Sequence, residues 1–224
     1  MKKNKSRSLP SVRMTKMAAL MLAGLSLPAT AQLGKQQGLV EPNIAADSQF
    51  QRLKLNEHAV HLIGEAKPIL SVVKLDSILN AAGMNAGQRK ELYKSMFVHV
   101  DLNRGTDAEL KLIPGVTDQT LAAIKAGRPW ATFEAFDAAM GKTMKADEVA
   151  NLDQYLFIPI ELNTFTEPLM DTFAPIGVGT RRWKREFAEY RPWTTEAQFR
   201  REIGKYVRAN PKEVDRLWRY VYIK

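Results

Sequence analysis

The chain has 224 residues, with 33 Lys and Arg against 24 Asp and Glu, three His and no Cys. That length suits one to three small domains with real cores, and a content of 45% hydrophobic and 25% charged residues excludes a mostly disordered chain. The lack of cysteine excludes a disulfide scaffold, a cysteine-ligated zinc or iron–sulfur site, a thiol nucleophile and a lipid anchor at cysteine.

The net charge of +9 is uneven along the chain. Residues 1–31 carry six bases (Lys2, Lys3, Lys5, Arg7, Arg13, Lys16) and no acid, which leaves 27 bases against 24 acids for the rest. The basic head is followed by an apolar run over 17–27, the helix breaker Pro28 and the small-x-small triplet Ala29-Thr30-Ala31. This order reads as a secretory signal peptide cleaved after Ala31. A membrane anchor is the weaker reading, because eleven apolar-leaning residues fall short of the ~30 Å hydrocarbon layer. The cleaved chain is therefore expected outside the cytoplasm, periplasmic or secreted, with no membrane span. Residues 32–39 read as a flexible lead-in.

The rest repeats. Val40-Glu41-Pro42-Asn43, Val100-Asp101-Leu102-Asn103 and Ile160-Glu161-Leu162-Asn163 open three units spaced 60 residues apart. A basic-Pro pair recurs at Lys67-Pro68, Arg128-Pro129 and Arg191-Pro192, and each unit ends in an aromatic-aliphatic stretch. Landmarks in one order define units at 40–99, 100–159 and 160–224.

Inside a unit the periodicity is helical. In the middle unit Thr106 and Glu109 form a capping box, and Leu110 and Ile113 share a face before Pro114-Gly115 breaks the helix. Leu121 and Ile124 mark a second helix, stopped at Gly127-Arg128-Pro129. Phe133, Phe136 and Met140 mark a third; Val149, Leu152 and Leu156 mark a fourth. No segment alternates convincingly over four residues, so the expected class is all-α, each unit being two short helical hairpins.

The first hairpin of the third unit carries the chemistry. It reads Gly177-Val178-Gly179-Thr180-Arg181-Arg182, with Trp183 and Lys184 following. Glycines at such a turn permit φ > 0 and close backbone approach, while the apolar residue plugs the core. The first amides of the next helix then offer an anion cradle. Arg181, Arg182 and Lys184 sit where cations oppose the helix dipole, an arrangement that favours an arriving anion such as phosphate. The corresponding positions read Lys54-Leu55-Asn56 and Gly115-Val116-Thr117, so hairpin glycines number none, one and two along the chain. Net charge is +2 over 32–99, −3 over 100–159 and +4 over 160–224. Like charge repels phosphate, so unit three is expected to bind, with units one and two as spacers or docking surfaces. A second basic cluster, Arg200, Arg201, Lys205 and Arg208, lies beside Gly204. It reads equally as a phosphate contact and as a solvated face interleaved with Glu196 and Glu202.

The run 101–115, with Leu121 to Ile124 and Gly127-Arg128-Pro129, resembles the helix-hairpin-helix domain of ComEA-like competence proteins. The third unit resembles it again through Ile176-Gly177-Val178-Gly179, and residues 40–99 do so more weakly. The resemblance implies tandem helix-hairpin-helix units that hold duplex DNA through its backbone without reading sequence, in a setting of DNA uptake outside the inner membrane. It assigns phosphate contact to Gly177, Gly179, Thr180 and Arg181; Gly115 is expected, with the Arg200 cluster, as a secondary contact. A membrane-associated protein partner is compatible with that setting.

Other features are weaker. His58 and His61 stand at i, i+3 on an expected helix but have no third ligand nearby, so no metal site is expected. The aromatic residues of unit three read as core before base-stacking groups. No Ser-His-Asp set or carboxylate pair stands out, and the expectation is a non-enzyme with no cofactor. Two functions follow: an exported, sequence-independent duplex-DNA binder, or a structural, protein-interacting scaffold of repeated hairpins.

Overall fold

The structure, a computed structural model, describes residues 32–224. The expected signal peptide over 1–31 lies outside the described residues. Helices dominate. Residues 40–99 hold α1 (Asp47–Arg52), α2 (Glu57–Ala66), α3 (Val72–Ala81) and α4 (Ala86–Leu92). Residues 100–159 hold β1 (Val100–Asp101), α5 (Asp107–Lys111), α6 (Asp118–Ala126), α7 (Phe133–Met140), α8 (Ala146–Asp153) and β2 (Leu156–Phe157). Residues 160–224 hold β3 (Ile160–Glu161), α9 (Glu167–Asp171), a 3₁₀ turn (Ala174–Ile176), α10 (Arg181–Glu189), α11 (Glu196–Gly204), α12 (Glu213–Arg219) and β4 (Val221–Tyr222).

Local chemistry sets the helix starts. The side chains of Asn56, Ser71, Asn85, Thr106, Thr117, Thr132, Thr180 and Thr195 each accept the amide three residues on, satisfying donors that the helix itself cannot. Glu109 reaches back to the Thr106 amide at 2.9 Å, completing the expected capping box. Phe133, Phe136 and Met140 are buried along α7, as their spacing predicts.

The short strands are a departure from a purely helical expectation. β1 pairs in parallel with β2, β3 with β4, and Val40 makes a parallel bridge to Met96. Each stretch thus closes by laying its last residues beside its first. A pair two residues long, mostly buried, has no room for alternation, so periodicity could not register it.

The three opening asparagines do the same work. Asn43 accepts the Ile69 amide at 2.6 Å and donates to the Ile69 carbonyl at 3.0 Å. Asn103 makes the same two-point clamp on Trp130 (2.6 and 2.9 Å) and Asn163 on Trp193 (2.7 and 2.9 Å). In each case the clamped residue follows a cis proline, Pro68, Pro129 or Pro192. Arg128 and Arg191 then donate to two carbonyls each of their opening loops, Leu102 with Gly105 and Leu162 with Phe165. The indole N–H groups of Trp130 and Trp193 cap the carbonyls of Ile124 and Phe187. The first stretch has Lys67 over the Phe50 ring instead.

Two buried cores result. One runs continuously through the first two stretches; the other fills the third and takes in Leu33 and Phe157. Trp183, Phe187, Trp193, Phe199 and Tyr220 lie within the second, as core rather than stacking surface. The expectation of a flexible lead-in is corrected here. Leu33 is buried and bridges Phe157 antiparallel, Ile158 donates to the Gln32 carbonyl at 2.8 Å, and the Gly34 amide donates to Leu156 at 3.2 Å. An apolar side chain and two backbone donors anchor what composition alone reads as loose.

Candidate nucleic-acid interface

The turn before α10 takes its shape from Gly177, whose φ is +74°, a left-handed conformation. Gly115 (+90°) and Lys54 (+55°) hold the same register in the other two stretches. The three turns therefore share a backbone although only two have glycine there. The amides of the Gly177 turn itself are used within the turn. Gly177 donates to Ala174 at 3.0 Å, and Val178 and Gly179 both donate to Phe173, at 3.2 and 3.0 Å. Val178 is fully buried, as its plug role requires.

Gly179 serves packing. A Cβ there would lie 2.1 Å from the Met170 carbonyl oxygen and 2.5 Å from the Ala174 nitrogen. Over Gly177 sits Ile44 from the first stretch, whose Cγ2 would be 3.0 Å from an added Cβ. Behind it Arg216, almost fully buried, donates to the Ile176 carbonyl at 2.8 Å and pairs with Glu213. The hairpin tip is thus held from both sides.

The amides that remain open are the first of α10. Thr180 caps the Trp183 amide, and among the described residues the amides of Thr180, Arg181 and Arg182 meet no acceptor. Beside them runs a cleft of about 1100 Å³ lined by Arg181, Arg182, Lys184, Arg185 and Arg191, with Glu167 and Glu189 and the apolar Phe165 and Ala188. Five cations face two carboxylates.

These cations are engaged to different degrees. Arg181 is exposed and makes no ion pair among the described residues. Arg182 donates to the Tyr206 carbonyl at 2.8 Å and lies over the Trp183 and Tyr206 rings. Lys184 pairs with Asp171 at 2.6 Å, and this hydrogen bond holds its ammonium above the ordinary range. Arg185 pairs with the buried Glu186. Burial pushes the Glu186 carboxyl up, but the Tyr206 hydroxyl and the charges of Arg185 and Arg182 outweigh it, and the net displacement is downward. Arg191 stacks on Phe165 with its guanidinium 4.0 Å from the ring centre while bonding two carbonyls, so it is a strut of the cleft wall.

The remaining expected contacts lie elsewhere. Arg200 bridges Glu196 and Asp215; Arg201 and Lys205 both pair with Glu202; Arg208 is exposed and makes no ion pair among the described residues. Of that cluster Arg208 has no carboxylate partner among the described residues, and Arg201 and Lys205 share a single one. Gly141 and Gly204 have ordinary helical backbones at the ends of α7 and α11. Gly115 opens on a separate cleft of about 460 Å³ with Arg89, Lys90 and Lys111, and shares no lining residue with the α10 cleft. His58 is exposed and His61 lies 3.4 Å from Glu65. Among the described residues no group of three or more His, Asp or Glu is placed to hold a metal.

Three polar groupings escape sequence reading. His99, fully buried, lies 3.3 Å from Glu41 and 3.1 Å from Gln36, and its carbonyl accepts from Arg219. Arg216 reaches across 40 residues to the hairpin. Asp137 and Asp153 come together from two helices. None has a local spacing that would announce it. No described protein family, curated protein or solved structure matches this chain.

Proposed function

We propose that this chain is an exported, sequence-independent binder of duplex-DNA phosphates, built from tandem helix-hairpin-helix units. The third unit grips through the exposed face of α10 rather than through the amides of the Gly177 turn. The observation that carries this reading is the cleft of five cations and two carboxylates opening beside the unpaired first amides of α10. Phosphate is the ligand that both features suit, since helix-start amides and Arg forks each favour a multidentate anion. Arg181 contacts it outright and Lys184 can exchange the exposed Asp171 carboxylate for phosphate, because such surface pairs are worth little, whereas Arg185 stays on the buried Glu186 and contributes its charge to the cleft. Export rests on the signal-like pattern over 1–31, and binding rather than catalysis is the role assigned.

The test is a titration of residues 32–224 against a fluorescent random-sequence duplex by anisotropy, at low and near-physiological salt. Two to four phosphate contacts give a log–log salt slope of roughly −2 to −4. Arg181→Glu is expected to weaken binding at least several-fold while leaving the melting temperature within a degree or two. Absence of binding at low salt overturns the proposal.

A second reading has an observation of its own. The first stretch covers the third-stretch hairpin through Ile44, and the buried Glu41, His99 and Arg216, with the half-buried Arg219, join the first stretch to the third. A body knitted this way also suits a rigid scaffold for a protein partner, and that is the reading left standing if no duplex binds.

A further inference from the structure

Asp153 ends α8, where the helix dipole disfavours an anion. Its side chain is buried, with 7% of the residue exposed, and its Oδ1 meets no hydrogen-bond donor. Facing it from α7 is Asp137, half-buried, whose Oδ1 is likewise buried and unpartnered. The two carboxyls lie within hydrogen-bonding reach of one another. Two carboxylates at that separation, away from water and without a cation, cannot both be ionised cheaply; one shared proton turns the repulsion into a hydrogen bond. Burial first, then the charge and hydrogen bond of Asp137, push the Asp153 carboxyl up to about 7. Asp137 is raised as well, by burial and by Glu134 on its own helix.

What rests on the backbone at the end of α8 is the amino-terminal strap. Gly34 packs so closely on Asp153 that a Cβ there would lie 1.8 Å from its carbonyl oxygen. Gln36 donates to the Gln154 carbonyl at 3.2 Å and Gln37 to the Ala150 carbonyl at 3.4 Å. The Gly34 and Ile158 amides complete the seam, to Leu156 and Gln32. The one charged residue of the strap is Lys35, which is exposed, and among the described residues no basic side chain offsets the pair. His99 also touches the strap, meeting Gln36 and backed by Glu41.

We propose that Asp137 and Asp153 share one proton and act as a pH-operated latch for the strap 32–37, which is docked while the proton is held and released when it leaves to solvent. Loss of the proton places two anions side by side at the end of α8. The relief available is for α8 to draw away from α7, carrying with it the carbonyls of Ala150, Gln154 and Leu156 that seat the strap. The device is independent of whether α10 binds DNA.

The experiment is a pH titration of residues 32–224 by NMR, following the Asp153 carboxyl carbon together with the amides of Gly34 and Ile158, in wild type and in Asp153→Asn. The variant imitates the protonated state and keeps the hydrogen bond to Asp137. In wild type the carboxyl and both amides are expected to titrate together between pH 6 and 8; in Asp153→Asn the amides stay at their docked shifts throughout. A carboxyl that titrates below pH 5 overturns the proposal. So do amides that stay still while the carboxyl titrates, and so do amides that move equally in the variant. If Asp153→Asn does not fold, Asp137→Asn makes the same comparison, and the wild-type carboxyl curve decides without either.

Discussion

Gly177 and Gly179 lie two residues apart in one turn, yet they are glycine for different reasons. Gly177 needs its left-handed φ of +74°, and an L residue there costs about 1–2 kcal/mol. Gly179 needs room, since any Cβ runs into backbone atoms of Met170 and Ala174 rather than into a side chain that could move. Gly177→Ala should therefore lower stability by about 1–2 kcal/mol, with Ile44 yielding at the surface. Gly179→Ala should cost distinctly more, at the level of severe core lesions. Urea unfolding monitored by circular dichroism ranks the two, and equal losses would contradict this account of the turn. The consequence for the interface is practical: substituting these glycines disturbs the hairpin whether or not phosphate ever meets it. Charge reversal at the exposed Arg181 is the cleaner probe.

The helix ends were legible in the sequence because the groups that set them are neighbours in the chain. Thr106 and Glu109 stand three apart, and the capping box between them follows from that spacing. The opening asparagines were legible only as landmarks. Asn43, Asn103 and Asn163 bond residues 26 to 30 positions away, a relation that no local pattern encodes. The candidate site divides in the same way. The basic run that starts α10 could be read directly, but the inward turn of the Gly177, Val178 and Gly179 amides could not, because it depends on where Phe173 and Ala174 place their carbonyls. The glycine count misled for a related reason: Lys54 takes the left-handed position without glycine, so a missing glycine did not mean a missing turn. Lys54 is exposed and carries that conformation at a cost. Lys54→Gly should raise stability by about 1 kcal/mol, the avoided strain less the extra chain entropy of glycine. A thermal melt showing no gain would mean that the Lys54 side chain compensates its backbone.

At the scale of the whole molecule, buried charge joins the stretches that apolar packing leaves as two cores. Burial pushes the Glu41 carboxyl up, but its hydrogen bond to His99 and the charges of His99 and Arg216 prevail and hold it below the ordinary carboxylate value of 4.5. A group displaced downward on folding contributes stability that is complete above its unfolded value and is lost as pH falls through the folded one. Asp153 acts with the opposite sign. Displaced upward from 3.8 to about 7, it contributes stability that is complete below its unfolded value and disappears as pH rises toward 7. The melting temperature of residues 32–224 should therefore fall on both sides of a mildly acidic optimum, through Glu41 and its like toward acid and through the aspartate pair toward neutrality. Asp153→Asn should remove the neutral-side decline while keeping the acid-side one, and Glu41→Gln should weaken the acid-side loss while lowering stability at every higher pH. Calorimetric scans from pH 3 to 8 on the three proteins separate these contributions, since the residues lie on different elements and their effects should add. A wild-type profile that stays flat between pH 5 and 7 would show that the Asp137–Asp153 pair carries no proton into neutral solution.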